Sequence, residues 1–443
     1  MNKKNFWKDT IIVGLALFST MFGAGNLIFP PQIGLFSGDQ WVLGVLGLLL
    51  GGIILPVLAL WAVNNVGDKA QDLMGHVSPW FYNAYYLIGC SFIAMGSTLP
   101  KSAATTHEMA IQPLFPNVPI WITVIVFFVL VYFFACDPNS VIDKLGKYMT
   151  PILVILLAIV LIKGVISPVG TPVDTGIDNA FGDAILTAYN TGDLTVGIMF
   201  ASVILLDLRR RGYTGAESKK GGYMAGVVSI VVLFAVYGTL TYIGACASGV
   251  YSQDTPQTVL LSGIIQSIMG PVGMACLGGA VALACLTTAV GIGTTCVGFF
   301  YDFFKRKIPY KVLVLIACII GIFMGITGVQ NIVNYVTPIF LVVYPALIVN
   351  TVLGLLNKYL PNDGFYKGGV LMAVVVSLGD AVLSVNPNIG WLRSFMDLFP
   401  FSGLGFAWVV PTIIGMVVGA IICRGKPKYQ PLPDPAEVSA QEK

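Results

Sequence analysis

Three stretches of the chain carry residue types that can do chemistry where apolar side chains would otherwise continue. In FSTMFGAGNLIFPP (18–31) two glycines flank Ala24, and Asn26 and Pro30-Pro31 follow within an apolar run. Inside a helix Gly costs about 1 kcal/mol and Pro about 3 kcal/mol relative to Ala. In GDAILTAYNTGDLTVGI (182–198) Tyr189, Asn190, Thr191 and Asp193 surround Gly192. Both read as helix breaks. A break at membrane depth leaves backbone N–H and C=O groups that are tolerated only against a partner or a cavity. Half-helix N-termini suit a carboxylate, whereas exposed carbonyls suit Na+ or an ammonium group, so two such breaks together suit a zwitterion. The plainer reading of either break alone is a kinked, tightly packed helix. In AVALACLTTAVGIGTT (280–295), Ala284, Thr287 and Thr288 share one helical face through their i, i+3, i+4 spacing. Two hydroxyls and a carbonyl form a neutral oxygen cluster able to hold a monovalent cation. Ordinary small-residue helix packing explains the same face equally well.

The elements that position these residues follow from composition. Of 443 residues, 56% are hydrophobic and only 10% charged, and mean hydropathy is +0.85. Soluble domains carry about a quarter charged residues, so a soluble globule is excluded, as are disordered, collagen-like, coiled-coil and disulfide-scaffold classes. The net charge of +3, with no basic stripe, gives no nucleic-acid partner. The eight cysteines form no C-x-x-C pair and read as small core hydrophobes.

Crossing about 30 Å of hydrocarbon takes roughly 20 apolar residues. Twelve spans are predicted, near 10–36, 41–65, 81–107, 118–136, 147–168, 182–207, 222–247, 270–303, 310–328, 331–357, 366–387 and 402–423. The first is read as uncleaved, because the apolar run continues past the small residues at 23–25. The segment 256–268 is too short to span and is expected as an outer, partly buried loop helix; the polar, Pro-containing tail 424–443 is expected to be disordered. With the N-terminus inside, all 24 Lys and Arg except Lys101, Lys163 and Arg393 fall on the inner side. Both termini are therefore expected in the cytoplasm.

The two breaks lie in spans 1 and 6, at matching places in two five-helix halves. An odd number of spans per half inverts the second half relative to the first, and matched interruptions are the best sequence pointer to a transporter site. The expected architecture is an all-α polytopic membrane protein with a five-plus-five inverted repeat. Its parts are a cytoplasmic N-terminus (1–9), a first repeat (10–168), a second, inverted repeat (182–357), helices 11 and 12 (366–423) and the cytoplasmic tail (424–443).

At these residues the chain resembles the branched-chain amino acid transport system II carriers, a family of branched-chain amino acid:cation symporters within the amino acid–polyamine–organocation superfamily. FGAGNLIFPPQIG (22–34) and CLTTAVG (285–291) carry the resemblance, supported by LPKSA (99–103), TGDL (191–194) and VYPALIV (343–349). It implies a LeuT-type fold in a bacterial cell membrane and no enzyme. It also implies secondary active symport of leucine, isoleucine and valine with Na+, or with H+ instead, without an obligate protein partner. By position it implies Na+ ligands at the carbonyls of Ser19, Phe22 and Ala284 and the hydroxyls of Thr287 and Thr288. The substrate would lie between Phe22, Gly23, Ala24, Gly25 and Asn26 on one side and Tyr189, Asn190, Thr191, Gly192 and Asp193 on the other.

Charged groups at membrane depth are functional candidates by default. Asp193 reads either as a contact for the substrate ammonium or as the N-cap of the following half-helix. Asp380 is expected to be structural or oligomer-facing, Lys101 to snorkel outward, and His107-Glu108 to form a solvated helix end, with a proton relay as the alternative. Two rival functions are weighed. An intramembrane aspartyl protease would pair Asp193 with Asp380 to activate water, although Ser377 replaces the first glycine of the G-x-G-D context. A passive channel would need a ring of pore-lining groups or a carbonyl filter repeat, and neither occurs in the sequence. No P-loop, H-E-x-x-H or G-x-S-x-G motif is present.

Overall fold

The computed structural model describes residues 5–67, 69–136 and 150–431. Residues 137–149, where the fifth predicted span begins, lie outside the described residues, as do 1–4 and 432–443. Lys3, Lys4, Lys144, Lys147 and Lys443, counted above on the inner side, therefore fall there too. Among the described residues every regular element is helical. In chain order they are α1 (Phe6–Met21), α2 (Ala24–Ser37), α3 (Trp41–Leu48), α4 (Leu55–Val66), α5 (Ala70–Gly75), α6 (Phe81–Ile88), α7 (Leu99–Thr106), α8 (Ile120–Ala135) and α9 (Thr150–Ile166). There follow α10 (Ala180–Tyr189), α11 (Asp193–Arg210), α12 (Gly215–Ala245), α13 (Gln257–Phe303), α14 (Tyr310–Gly325), α15 (Val329–Leu355), α16 (Gly364–Val385), α17 (Gly390–Met396) and α18 (Val409–Ile422).

Five of the helical stretches are long and apolar enough to cross a bilayer, the first running from Ala24 to Val66, and α10 with α11 makes a sixth span bent by 53°. Four shorter apolar helices, α8, α9, α14 and α18, accompany them. Outward faces are apolar: Ile155, Ile162 and Ile166 of α9 are 61%, 60% and 72% exposed. Water-soluble proteins rarely expose continuous apolar faces of this kind.

With lipid tails as apolar as the side chains, helices associate through close packing of small residues. A Cβ on Gly34 of α2 would lie 1.9 Å from the Thr241 carbonyl oxygen of α12, and one on Gly244 would lie 2.0 Å from the Pro31 oxygen. Helices α16 and α18 cross on two facing G-x-x-x-G pairs, with Gly364 and Gly368 against Gly419 and Gly415.

Two prolines reshape their helices. Pro56 follows a π-helical segment at Leu49–Ile54, and Pro100 follows one at Gly89–Thr98. Pro lacks an N–H and its ring clashes with the carbonyl one turn back, and a π turn relieves both problems. Thr98 adapts by donating its hydroxyl to the Ile93 carbonyl five residues back, at 3.0 Å. The loop helix expected at 256–268 is present as the first part of α13, set off from the rest by a kink at Gly270 (φ 60°). Glu108 pins it, accepting from the Thr258 hydroxyl at 2.6 Å and from the Val329 amide at 3.0 Å. Glu108 and the buried His107, whose Nδ1 lies 2.9 Å from the Thr123 hydroxyl, thus join elements, where a solvated end was expected.

The described part of the tail, to residue 431, is likewise held. The Tyr429 amide donates to Asp363 Oδ2, and Lys428 Nζ donates to the Asn357 and Leu360 carbonyls. His76 Nδ1 lies 2.6 Å from Asp363 Oδ1, and its ring stacks on Tyr366 and meets Tyr429 edge-on. Composition marked these residues as disordered because it registers polarity and proline, and cannot register partners distant in the chain, such as Asn357, Leu360, Asp363 and His76.

Burial pushes the His76 imidazole below its ordinary value, outweighing the neighbouring carboxylate. The ring is therefore neutral at pH 7 and donates a hydrogen bond to Asp363, so the contact is not an ion pair. A base with a lowered native pKa binds fewer protons clasped than released, so the clasp is stable above about pH 6.5 and weakens as pH falls below it. Hydrogen exchange of residues 424–431, corrected for intrinsic rate, is expected to rise between pH 7.5 and 5.5. A flat profile would show that His76 does not control the clasp.

Candidate functional site

Helix α1 stops where Phe22 (φ −80°, ψ 85°) and Gly23 (φ −114°, ψ −166°) leave helical geometry, and α2 starts at Ala24. Helix α10 stops at Tyr189, and α11 starts at Asp193 after Gly192 turns left-handed (φ 83°). An L side chain at that φ is strained, so glycine is the residue that permits this turn. Gly192 is also the N-cap of α11, and Asp193 is its first residue, where a negative charge complements the helix N-terminus.

The two breaks face each other across a cavity of about 10 Å³, room for about one water. Gly23, Ala24, Gly25 and Asn26 line it from the first break, Thr191 and Asp193 from the second, and Thr288 from α13. Asn26 joins the walls. Its Nδ2 is 2.7 Å from the Met21 carbonyl, 2.7 Å from Asp193 Oδ2 and in contact with the Tyr237 hydroxyl. An amide NH2 has two hydrogens, so three acceptors compete for them, and all of these residues are buried.

The remaining predicted residues stand behind this lining. Phe22 stacks on Phe18, and its carbonyl accepts from Thr288 Oγ1 at 3.3 Å. Tyr189 packs against Tyr344, whose hydroxyl accepts from the Leu194 amide at 3.3 Å. The Asn190 side chain accepts from the Thr337 hydroxyl at 2.8 Å. Gly192 lies nearest Phe340. Thr287 Oγ1 donates to the Ala284 carbonyl of its own helix at 3.0 Å, and Ser19 is buried one turn before the break. Thr288 therefore bridges α13 to the first break, while Thr287 bonds back along α13.

Lys101 was expected to point outward and does not. It is 2% exposed, lines the cavity, and donates to the Asn190 carbonyl at 2.9 Å. Sequence reading also passed over Thr98, Val196 and Ile292 in the lining, and Tyr237 and Tyr344 behind it. A lysine inside an apolar span was a usable signal for the first; the aromatic and aliphatic residues carried none.

Residues 6–426 match the family described as branched-chain amino acid transport protein. The chain belongs to that family. Its relatives include branched-chain amino acid permease BraB of Bacillus subtilis, 28% identical over 94% of this chain and 95% of that protein. Branched-chain amino acid permease BrnQ of Haemophilus influenzae is 30% identical over 94% and 97%. These names denote permeases for a small-molecule substrate, and neither denotes an enzyme or a protein partner. A manganese transporter from Eremococcus coleocola, solved in complex with an aromatic bis-isothiourea compound, superposes with a TM-score of 0.61 at 14% identity over 95% of this chain and 97% of that one. That likeness places this member of the branched-chain transport family in a known transporter fold. With apolar faces outward, the family member is a multi-pass membrane protein.

The protease reading has no support. Asp380 lies half-buried on α16, which packs on α15 and α18, and it is absent from the cavity that holds Asp193. No group of three or more His, Cys, Asp or Glu suited to a metal ion occurs among the described residues.

Proposed function

We propose that the chain imports leucine, isoleucine and valine by sodium symport with alternating access. In this reading it has twelve spans in a five-plus-five inverted repeat and both termini in the cytoplasm. The observation that carries it is the pairing of two helix breaks across one cavity, with Thr288 of α13 on the carbonyl of the first break. Substrate would lie between residues 22–26 and 189–193. Sodium would be held by the carbonyls of Ser19, Phe22 and Ala284 and the hydroxyls of Thr287 and Thr288. That donor set of neutral oxygens fits a monovalent hard cation. Thr288 Oγ1 and the Phe22 oxygen, now bonded to each other, would both turn to the ion.

A cavity of one-water size cannot hold leucine, so binding requires the walls to part. Outside the cavity, the ends of the two broken spans are tied. Arg211 reaches Asp9 at 3.3 Å and Asp207 at 2.9 Å, and the Tyr213 hydroxyl donates to Asp9 at 2.8 Å. The half-exposed ion pairs are worth roughly 0–1 kcal/mol, weak enough to be remade in each cycle as spans 1, 2, 6 and 7 rock against the rest. Sodium at the break would order its backbone before substrate arrives and so lower the cost of binding. An apolar pocket separates methylenes by only about 1–3 kcal/mol each, so the three substrates should compete. Proton coupling is the second reading, favoured by the buried Asp193 and Lys101 in the lining.

The test is uptake of radiolabelled leucine into proteoliposomes under an inward Na+ or H+ gradient, for wild type and Thr288→Ala. Sodium-driven uptake reduced at least about tenfold in the variant is expected, because an oxygen lost from the ion's coordination shell costs on the order of a hydrogen bond to a charged group, about 1.5–3 kcal/mol. Proton-driven uptake indifferent to sodium would remove the sodium ligands and move attention to Asp193. No uptake under either gradient would overturn the substrate assignment.

A further inference from the structure

Lys101 is the one cation among the residues lining the cavity. Its ammonium is 2.9 Å from the Asn190 carbonyl, lies over the Phe29 ring at 5.3 Å, and would be 3.3 Å from a Cβ on Gly25. Asn190 closes α10, so this carbonyl belongs to the negative end of a half-helix dipole. The ring face adds a cation–π contact, and Asp193 lines the same small cavity. The charge is thereby compensated without a direct ion pair, and the ammonium keeps donors in reserve, since it has three hydrogens.

Burying a lysine costs several kcal/mol even when it is compensated, and such residues mark sites of function. The lining also supplies the opposite pole, because the Asp193 carboxylate is held by Asn26 at the far side of the break. One cation and one carboxylate on a cavity with little other charge match the two ends of a zwitterion.

We propose that Lys101 is a substrate-binding residue whose ammonium takes the α-carboxylate of the amino acid. On binding, Nζ leaves the Asn190 carbonyl for the carboxylate, and the vacated carbonyl, with Asp193, becomes the acceptor for the substrate ammonium. A tethered cation thus holds the break in shape until the substrate cation replaces it. The inference rests on the transport reading above and adds the group that distinguishes amino acids from amines.

The experiment is equilibrium binding of labelled leucine to the full chain in lipid nanodiscs, competed with leucine or with leucinamide, which lacks the carboxylate. Wild type should prefer leucine by about 30-fold or more, the size expected for a charge-assisted hydrogen bond. Lys101→Met should weaken leucine by about that factor while leaving leucinamide within about threefold, so that the preference collapses. Lys101→Arg keeps the charge and should retain part of the preference. A purely structural role would weaken both ligands together, so a Lys101→Met protein that keeps the wild-type ratio overturns the proposal. Wild type that binds leucinamide as well as leucine overturns it without any variant, should Lys101→Met fail to fold. Wild type that binds none of leucine, isoleucine and valine overturns the transport reading itself, a distinct result.

Discussion

Asn26→Ala is expected to reduce leucine uptake by about 100-fold or more, with the protein still inserted and folded. The side-chain amide joins the two broken spans to each other and to α12, through the Met21 carbonyl, Asp193 and Tyr237. Removing it takes a donor from the buried Asp193 carboxylate and a partner from the Tyr237 hydroxyl, while the Met21 carbonyl keeps the Gly23 amide at 3.0 Å. An unsatisfied buried polar group costs about 1–3 kcal/mol, and more when it is charged, which is enough to separate the two breaks. The global fold rests elsewhere, on glycine-mediated crossings such as Gly34 and Gly244, and these are untouched. Transport should therefore fall far more than thermal stability. Asn26→Asp should not rescue, because it sets a second carboxylate 2.7 Å from Asp193 Oδ2 where a donor stood. Uptake by Asn26→Ala within about threefold of wild type, at normal membrane abundance, would show that the three bonds do not organise the site.

Much of this site was legible because its signals are local in the chain. Gly23, Gly25 and Asn26 interrupt an apolar run, as do Asn190 to Asp193, and a break of helix geometry is dictated by the residues that break it. The contact of α13 on the first break was implied by the family resemblance; the two adjacent threonines alone fitted ordinary helix packing equally well. Lys101 was misjudged because its direction depends on helix phase. Reading a face from sequence assumes 3.6 residues per turn, and the π-helical stretch Gly89–Thr98 ahead of it inserts extra residues that rotate everything beyond. Tyr237 and Tyr344 were invisible for another reason. An aromatic in an apolar helix looks the same whether its hydroxyl meets lipid headgroups or a buried asparagine, and long-range packing decides which.

The approach of Gly23 in the first break to Thr288 of α13 supplies a sharper test of the proposed ion site than removal of a ligand. A methyl group on Gly23 would lie 2.9 Å from Thr288 Cγ2 and 3.1 Å from Thr288 Oγ1. The Gly23 backbone is one that alanine adopts without strain, so Gly23→Ala acts through this collision alone. It wedges the Phe22 carbonyl away from the threonine hydroxyl that now meets it at 3.3 Å. Overpacking of a tight site costs about 1–3 kcal/mol, so the ion that drives wild-type uptake should bind Gly23→Ala about 10- to 100-fold more weakly. Thr288→Ser in the same protein deletes Cγ2, the nearest clashing atom, and keeps Oγ1. Gly23→Ala/Thr288→Ser should therefore recover most of the lost ion affinity. Gly23→Ala/Thr288→Ala relieves the same clash but removes the hydroxyl, and should stay weak. Ion dependence of leucine uptake for the three proteins separates the causes. Equal rescue by serine and alanine would mean that Thr288 contributes bulk alone; no rescue by serine would mean that Gly23 acts through something other than its contact with α13.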